Sequence, residues 1–354
     1  MPDGSHRRSH FHNLEVNMTE LGQKENLLRM LRGEMPEYVP IVSFGGGEER
    51  LWAMMPPSIM GNYRGKEGGY DPWGVKFVTN EETGYAALPE PNNFIIKDIT
   101  RWDEYIKKPD WDDWDWEKAA ETDKAKLNID PEKTLWMSKG FDDYFQQYIG
   151  MMGFNEGLMA LYEEREAVEA LLDFMVEVAV PVTKNVLYYY KPEAYYLLDD
   201  SASKYTPFIS KELFEEIFVP RYKKTLDLVR DAGLPVFYHN CGKCEDFMPS
   251  MTKLGVRCWD PAQPENDLVE IKNRYGRQLI INGGYEYRMP VEWPNVKEDD
   301  VRQTVVDAFE KLAPNGGWMF AGGVTTLNNT DLDVVKVNGW IKDEAKKLSR
   351  TVYK

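Results

Sequence analysis

The chain has 354 residues, 42% of them hydrophobic, and 59 acidic against 43 basic side chains, for a formal net charge of −16. That length holds two average domains or one large α/β barrel with an N-terminal extension, and the apolar content is ample for a core. The acidity argues against nucleic acid and anionic membrane surfaces as partners, and three cysteines, an odd number in so long a chain, argue for a reducing, cytoplasmic setting rather than a disulfide framework.

Residues 1–20 form a polar tail carrying His6, His10 and His12; it reads as an appendage and is set apart from residues 21–354, which read as one domain. From there a pattern recurs: a short apolar or β-branched run, a polar or Gly-rich cluster, then an amphipathic helix. The expected strands are Val39–Phe44, Thr134–Ser138, Ala194–Leu198, Pro235–Tyr238, Val256–Trp259, Leu279–Ile281 and Gly317–Phe320, with helices over Glu164–Tyr190, Ser210–Ala232, Asp267–Tyr275 and Glu298–Leu312. The most apolar stretch, 171–190, carries Asp173, Glu177, Pro181 and Lys184, so it reads as buried helix and not as a membrane span. Alternating strands and helices imply a parallel sheet, and seven such strands fit a (β/α)8 TIM barrel with one strand too weak to read. Chemistry is then expected at the strands' C-terminal ends. Two segments break the pattern. Residues 48–93, rich in Gly, Pro and Met, read as an irregular insertion. Residues 100–118, with four tryptophans among acids, read as an amphipathic segment that packs its indoles on the barrel, with a lid as the alternative.

The soft ligands are sparse and clustered. All three cysteines and the sole histidine outside the tail lie in Tyr238-His239-Asn240-Cys241-Gly242-Lys243-Cys244 and at Cys258. Residues two apart on a strand share a face, so Phe237, His239 and Cys241 point together, which sets an imidazole beside a thiol at the barrel mouth. This is half of a zinc site; a Cys–His nucleophile pair is the weaker alternative, because the histidine stands beside the thiol and not across a substrate. Asp199-Asp200 places two carboxylates at another strand end, where they either carry chemistry or cap the following helix.

With Glu25-Asn26-Leu27-Leu28-Arg29-Met30-Leu31-Arg32-Gly33, Val39-Pro40-Ile41, Leu198-Asp199-Asp200, the His-Asn-Cys-Gly element at 239–242, Trp259-Asp260-Pro261 and Asn282-Gly283-Gly284, the chain resembles the uroporphyrinogen decarboxylase superfamily and, within it, the corrinoid-dependent methyltransferases. The resemblance implies zinc at His239 and Cys241 and a corrinoid carried on a separate partner protein. The segment Phe44–Arg50, acidic and with a single arginine, departs from the arginine-rich grip of the decarboxylases. The family's Gly-Cys-Gly turn, source of a third zinc ligand, here reads Ala321-Gly322-Gly323. Cys244 is the nearest substitute, Glu286 or Asp199 could supply oxygen, or no metal binds; Tyr238, Asp199, Asp200 and Glu286 are candidates for protic catalysis. The expected function is demethylation of a small methylated substrate, an aryl methyl ether by preference, with the methyl group passed to the corrinoid cobalt. The alternatives are a zinc-dependent thiol methyltransferase of the coenzyme M type, working from a methylated corrinoid protein, and a non-catalytic small-molecule-binding homologue.

Overall fold

A computed structural model describes residues 21–42, 50–81, 84–324 and 331–353; the tail at 1–20 and most of the segment after the first expected strand lie outside the described residues. Seven strands pair in parallel in the order β1 (Trp52–Met54), β5 (Leu135–Ser138), β6 (Ala194–Leu198), β7 (Val236–His239), β8 (Val256–Ala262), β9 (Ile280–Gly283) and β10 (Trp318–Met319). The other three, β2 (Gly69–Tyr70), β3 (Lys76–Val78) and β4 (Leu88–Pro89), form a small antiparallel sheet inside the Gly- and Pro-rich insertion. Six expected strands are present within a residue or two, except that β8 runs on to Ala262. The first is not: among the described residues Val39–Phe44 shrinks to one bridge, Ile41 with Phe320, flanked by Val42 N–H donating to Phe320 O at 2.8 Å. The weak strand is β1, which its Met- and Pro-rich surroundings assign to the insertion; three residues are too few to show alternation.

Alternation along the strands separates two cores. Val42, Leu135, Met137, Ala194, Tyr196, Phe237, Cys258, Ile280, Met319 and Ala321 pack together inside the curled sheet. Their neighbours, among them Trp136, Tyr195, Leu197, Tyr238, Trp259, Ile281 and Trp318, face outward beneath the helices. With Leu51, beside β1, eight chain segments line one interior, the arrangement of an α/β, TIM-barrel-like fold. The helix Gln23–Leu31 adds Leu27, Met30 and Leu31 to the inner cluster. It sits at the N-terminal end of the strands: Arg257, at the start of β8, donates to Leu31 O at 3.1 Å, and Arg277, before β9, donates to Gly33 O at 2.9 Å. The interior is therefore plugged from below.

The outer helices follow the expected boundaries closely, with Arg165–Asn185 continued to Tyr190 by a π-turn and Glu298–Leu312 starting and ending where the pattern does. Ser210 caps its helix, its hydroxyl accepting from Leu213 N–H at 3.1 Å. None of the described helices is long and apolar enough to cross a membrane. The Trp-rich segment packs as expected: Trp102 lies 5.1 Å from Phe174 and Trp111 lies edge-on 5.5 Å from Phe141, while its acids face solvent.

The layer between β5, β6 and the helices holds buried acid. Asp142 Oδ2 accepts from the Tyr195 hydroxyl at 2.7 Å, and its Oδ1 has no partner. Burial outweighs Tyr195 and Lys139 and pushes this carboxyl up to about 6. The unfolded chain loses the proton near ~3.9. Between the two values the folded state alone keeps it, so stability is lost as pH rises through the window. Burial also pushes Asp71 and Asp199 up to about 7, with the same sign. The urea midpoint should therefore fall between pH 4 and pH 7, and Asp142→Asn, which cannot ionise, should flatten the part of that fall below pH 6; parallel slopes there in variant and parent would contradict the assignment.

Candidate metal centre

The site forms where β6, β7 and β8 end. On β7, Phe237 turns into the inner core and His239, two residues on, faces the mouth on the same side. Cys241 follows beyond the strand end, with Sγ 3.4 Å from His239 Nε2. Gly242 makes this placement workable. It adopts φ +86°, and a Cβ there would collide with Ser203 O, so the chain turns against the loop after β6 only with glycine. Just past β6 the same alternation splits the acidic pair. Asp200 turns inward: its Oδ1 accepts from Cys241 N–H at 2.7 Å and lies 3.6 Å from His239 Nε2, and its Oδ2 accepts from Gln146 Nε2 at 2.8 Å. Arg64, from the insertion, donates in turn to Gln146 Oε1 at 3.0 Å.

Asp200, His239 and Cys241 bring one oxygen, one nitrogen and one sulfur within 4.8 Å of one another. Burial by itself would lower the imidazole, but Asp260, Cys241 and Asp200 outweigh it and push His239 up to about 10. Burial, with Asp200 adding to it, raises the Cys241 thiol against the pull of His239. The pocket thus strongly favours positive charge, and its thiol lacks the depressed pKa of an activated nucleophile. A divalent, borderline-soft ion fits the donor set, and ligands of this kind suit zinc. The His239 and Asp200 side chains keep 23% and 32% of their exposure, leaving one side of the cluster open.

The remaining candidates lie elsewhere. Asp199 is buried on the outer face, where its carboxylate accepts from Phe145 N–H and Gln146 N–H, each at 2.8 Å, and from the Tyr222 hydroxyl at 2.5 Å. It caps the helix Tyr144–Met152. Tyr238 faces outward too, its oxygen accepting from Asn240 Nδ2 at 2.5 Å. Cys244 is buried against the Asn240 carbonyl, 3.4 Å from its Sγ, and lies outside the cluster; burial raises its thiol well above the ordinary range. Glu286 points away to Arg288, 3.4 Å distant. Cys258 is enclosed in the inner core below.

Three side chains were not among the expected site residues. The Tyr196 hydroxyl lies 2.8 Å from His239 Nδ1 and 2.7 Å from Asp260 Oδ2, and Asn282 Nδ2 donates to Asp260 Oδ1. Asp260 was accessible to parity, since it shares a strand face with Cys258 and the mouth. Tyr196, inside the apolar run Ala194–Leu198, carries no local signal.

The family model for uroporphyrinogen decarboxylase (URO-D) matches residues 146–338, more than half of the chain. No curated protein matches the sequence. Among solved structures, the chain is similar to a methyltransferase from Methanosarcina mazei, with a TM-score of 0.56 at 13% identity, covering 92% of this chain and 99% of that one. Looser likenesses are an AP endonuclease, family 2, from Brucella melitensis (TM-score 0.28, 13% identity, 59% and 77% covered) and a sugar phosphate isomerase/epimerase from Parabacteroides distasonis (TM-score 0.32, 12% identity, 87% and 96% covered).

Proposed function

Because the chain belongs to the uroporphyrinogen decarboxylase family, we propose that it is a family member turned to methyl transfer: a zinc-dependent, cytoplasmic component, one barrel domain over residues 21–354, that removes the methyl group of a small substrate and loads it onto a corrinoid protein. The observation that carries this reading is the Asp200–His239–Cys241 cluster at the mouth of the barrel. A tetrapyrrole bearing many carboxylates would instead need a cationic mouth. Here Asp200 faces the opening, and Arg64 is already held 3.7 Å from Asp143.

For an aryl methyl ether, our preferred substrate, the reduced corrinoid of the partner would be the methyl acceptor: the methyl group would pass to it as the carbon–oxygen bond breaks, and the electron pair of that bond would leave on oxygen as a phenoxide. Zinc would supply Lewis acidity toward that developing charge. The protein's own part is to hold donors and geometry: His239 and Cys241 are fixed by strand and turn, and Asp200 is oriented by Cys241 N–H and Gln146. Asp200 takes the third place expected of Cys244, Asp199 or Glu286. An oxygen donor there gives a harder ligand set, which suits an oxygen leaving group better than thiol activation does. Gly322 weighs the same way. It takes φ +142° and a Cβ would collide with Tyr285 O, so no cysteine fits the turn that supplies the third ligand in the thiol-alkylating relatives.

Metal content tests the reading most directly, in protein whose tail histidines His6, His10 and His12 have been replaced by glutamine. About one zinc per chain is expected, together with formation of methylcobalamin absorbance when a reduced corrinoid protein and an aryl methyl ether are added. Zinc without methyl transfer from ethers, but with transfer to thiols, would favour the coenzyme M type of chemistry. No zinc and no turnover would leave a binding-only homologue.

A further inference from the structure

Tyr196 lies in β6 with its ring in the inner core and its hydroxyl between two strands' worth of site residues. A phenol has one hydrogen to give. Asp260 Oδ2, 2.7 Å away, belongs to a carboxylate whose other oxygen is already taken by Asn282 Nδ2, and a carboxylate only accepts. The phenol hydrogen therefore goes to Asp260, and the phenol oxygen turns a lone pair to His239 Nδ1 at 2.8 Å. Nδ1 must be the donor in that contact. The ring is then fixed with Nε2 facing Cys241 Sγ at 3.4 Å and Asp200 Oδ1 at 3.6 Å. Asp260 does not reach the imidazole directly, since its Oδ2 lies 3.8 Å from Nδ1. The phenol spans that gap.

We infer that Tyr196 is a positioning residue: through Asp260 and Asn282 it dictates which imidazole nitrogen His239 presents to a divalent cation held with Asp200 and Cys241. A carboxylate or carbonyl usually receives the free N–H of a metal-bound histidine. Here a tyrosine is interposed between the carboxylate and the ring, so one hydroxyl group decides the orientation. The inference rests on the metal reading of the site and deepens it.

Tyr196→Phe keeps the ring and its packing and removes only the bridge. The test is zinc affinity, by competition with a chelating dye, in full-length protein with His6, His10 and His12 changed to glutamine, so that His239 is the sole imidazole. It is paired with long-range proton–nitrogen-15 spectra of the zinc-loaded form. We expect the parent to show one histidine with its proton on Nδ1, and the variant to bind zinc tenfold to a hundredfold more weakly, with a mixed or reversed nitrogen pattern and a fold that is retained with its thermal midpoint lowered by the lost Asp260 hydrogen bond. Equal affinity and an identical nitrogen pattern in the variant would overturn the inference while leaving the metal site standing. A parent that takes up no zinc would overturn both. Should Tyr196→Phe fail to fold, Asp260→Asn serves in its place. It keeps the shape but gives the phenol a partner that no longer must accept, and it should weaken zinc several-fold; no change would again count against the bridge.

Discussion

His239→Ala should leave a folded protein that neither holds zinc nor transfers a methyl group, with turnover down by about a thousandfold or more, the scale on which loss of a group that stabilises a developing oxyanion is felt. The reason is geometric. His239 supplies the only nitrogen of the Asp200–His239–Cys241 cluster, and its side chain stands at the mouth, above the packed inner layer of Tyr196, Phe237 and Cys258. Its removal opens no cavity in that layer, so the thermal midpoint should move by a few degrees at most, and Cys241→Ala should behave alike. Circular dichroism melts alongside zinc content and methylcobalamin formation would check both halves of the expectation. Turnover at the parent rate in either variant would place the chemistry elsewhere.

The second large effect separates two adjacent letters of the sequence. Asp199→Ala should destabilise the fold by roughly 3–5 kcal/mol, because it strands several buried donors at once: the amides of Phe145 and Gln146 and the Tyr222 hydroxyl. Asp200→Ala should do the reverse, with a near-parental urea midpoint and weak zinc binding, since its carboxylate is partly exposed and its partners reach solvent or each other. Urea titrations beside zinc titrations of the two variants would settle the division. If Asp199→Ala instead kept its midpoint and lost turnover, the capping role assigned to it would fall.

That division shows how far the sequence can be read. A period of two is enough to put His239 and Cys241 on one face, and the structure bears this out at 3.4 Å. The same rule, applied from Tyr196 and Leu198, would have chosen Asp200 over Asp199; read only as a pair at a strand end, the two look equivalent. Cys244 and Glu286 lie beyond the strands, where no period governs the direction of a side chain, and proximity in sequence to His239 proved a poor guide for Cys244. Tyr196 was illegible for a different reason. Its worth lies in the register that sets Leu198 beside His239 and His239 beside Asp260, which no single segment encodes. The strand β1 was hidden because, among the described residues, Trp52–Met54 pairs with Leu135–Met137, more than eighty residues later.

Among the described residues, the helix Gln23–Leu31, wedged under the strands, closes the N-terminal end of the barrel interior. Whatever visits His239 arrives and departs past the same rim, because Leu27, Met30 and Leu31 seal the opposite end. Under the proposed methyl transfer, a small substrate and a large carrier would meet on that one side and queue: the small one would be seated before the large one covers the rim, and its remnant would leave after the carrier lifts away. A plug of nine residues at the far end would then set a schedule on the near one.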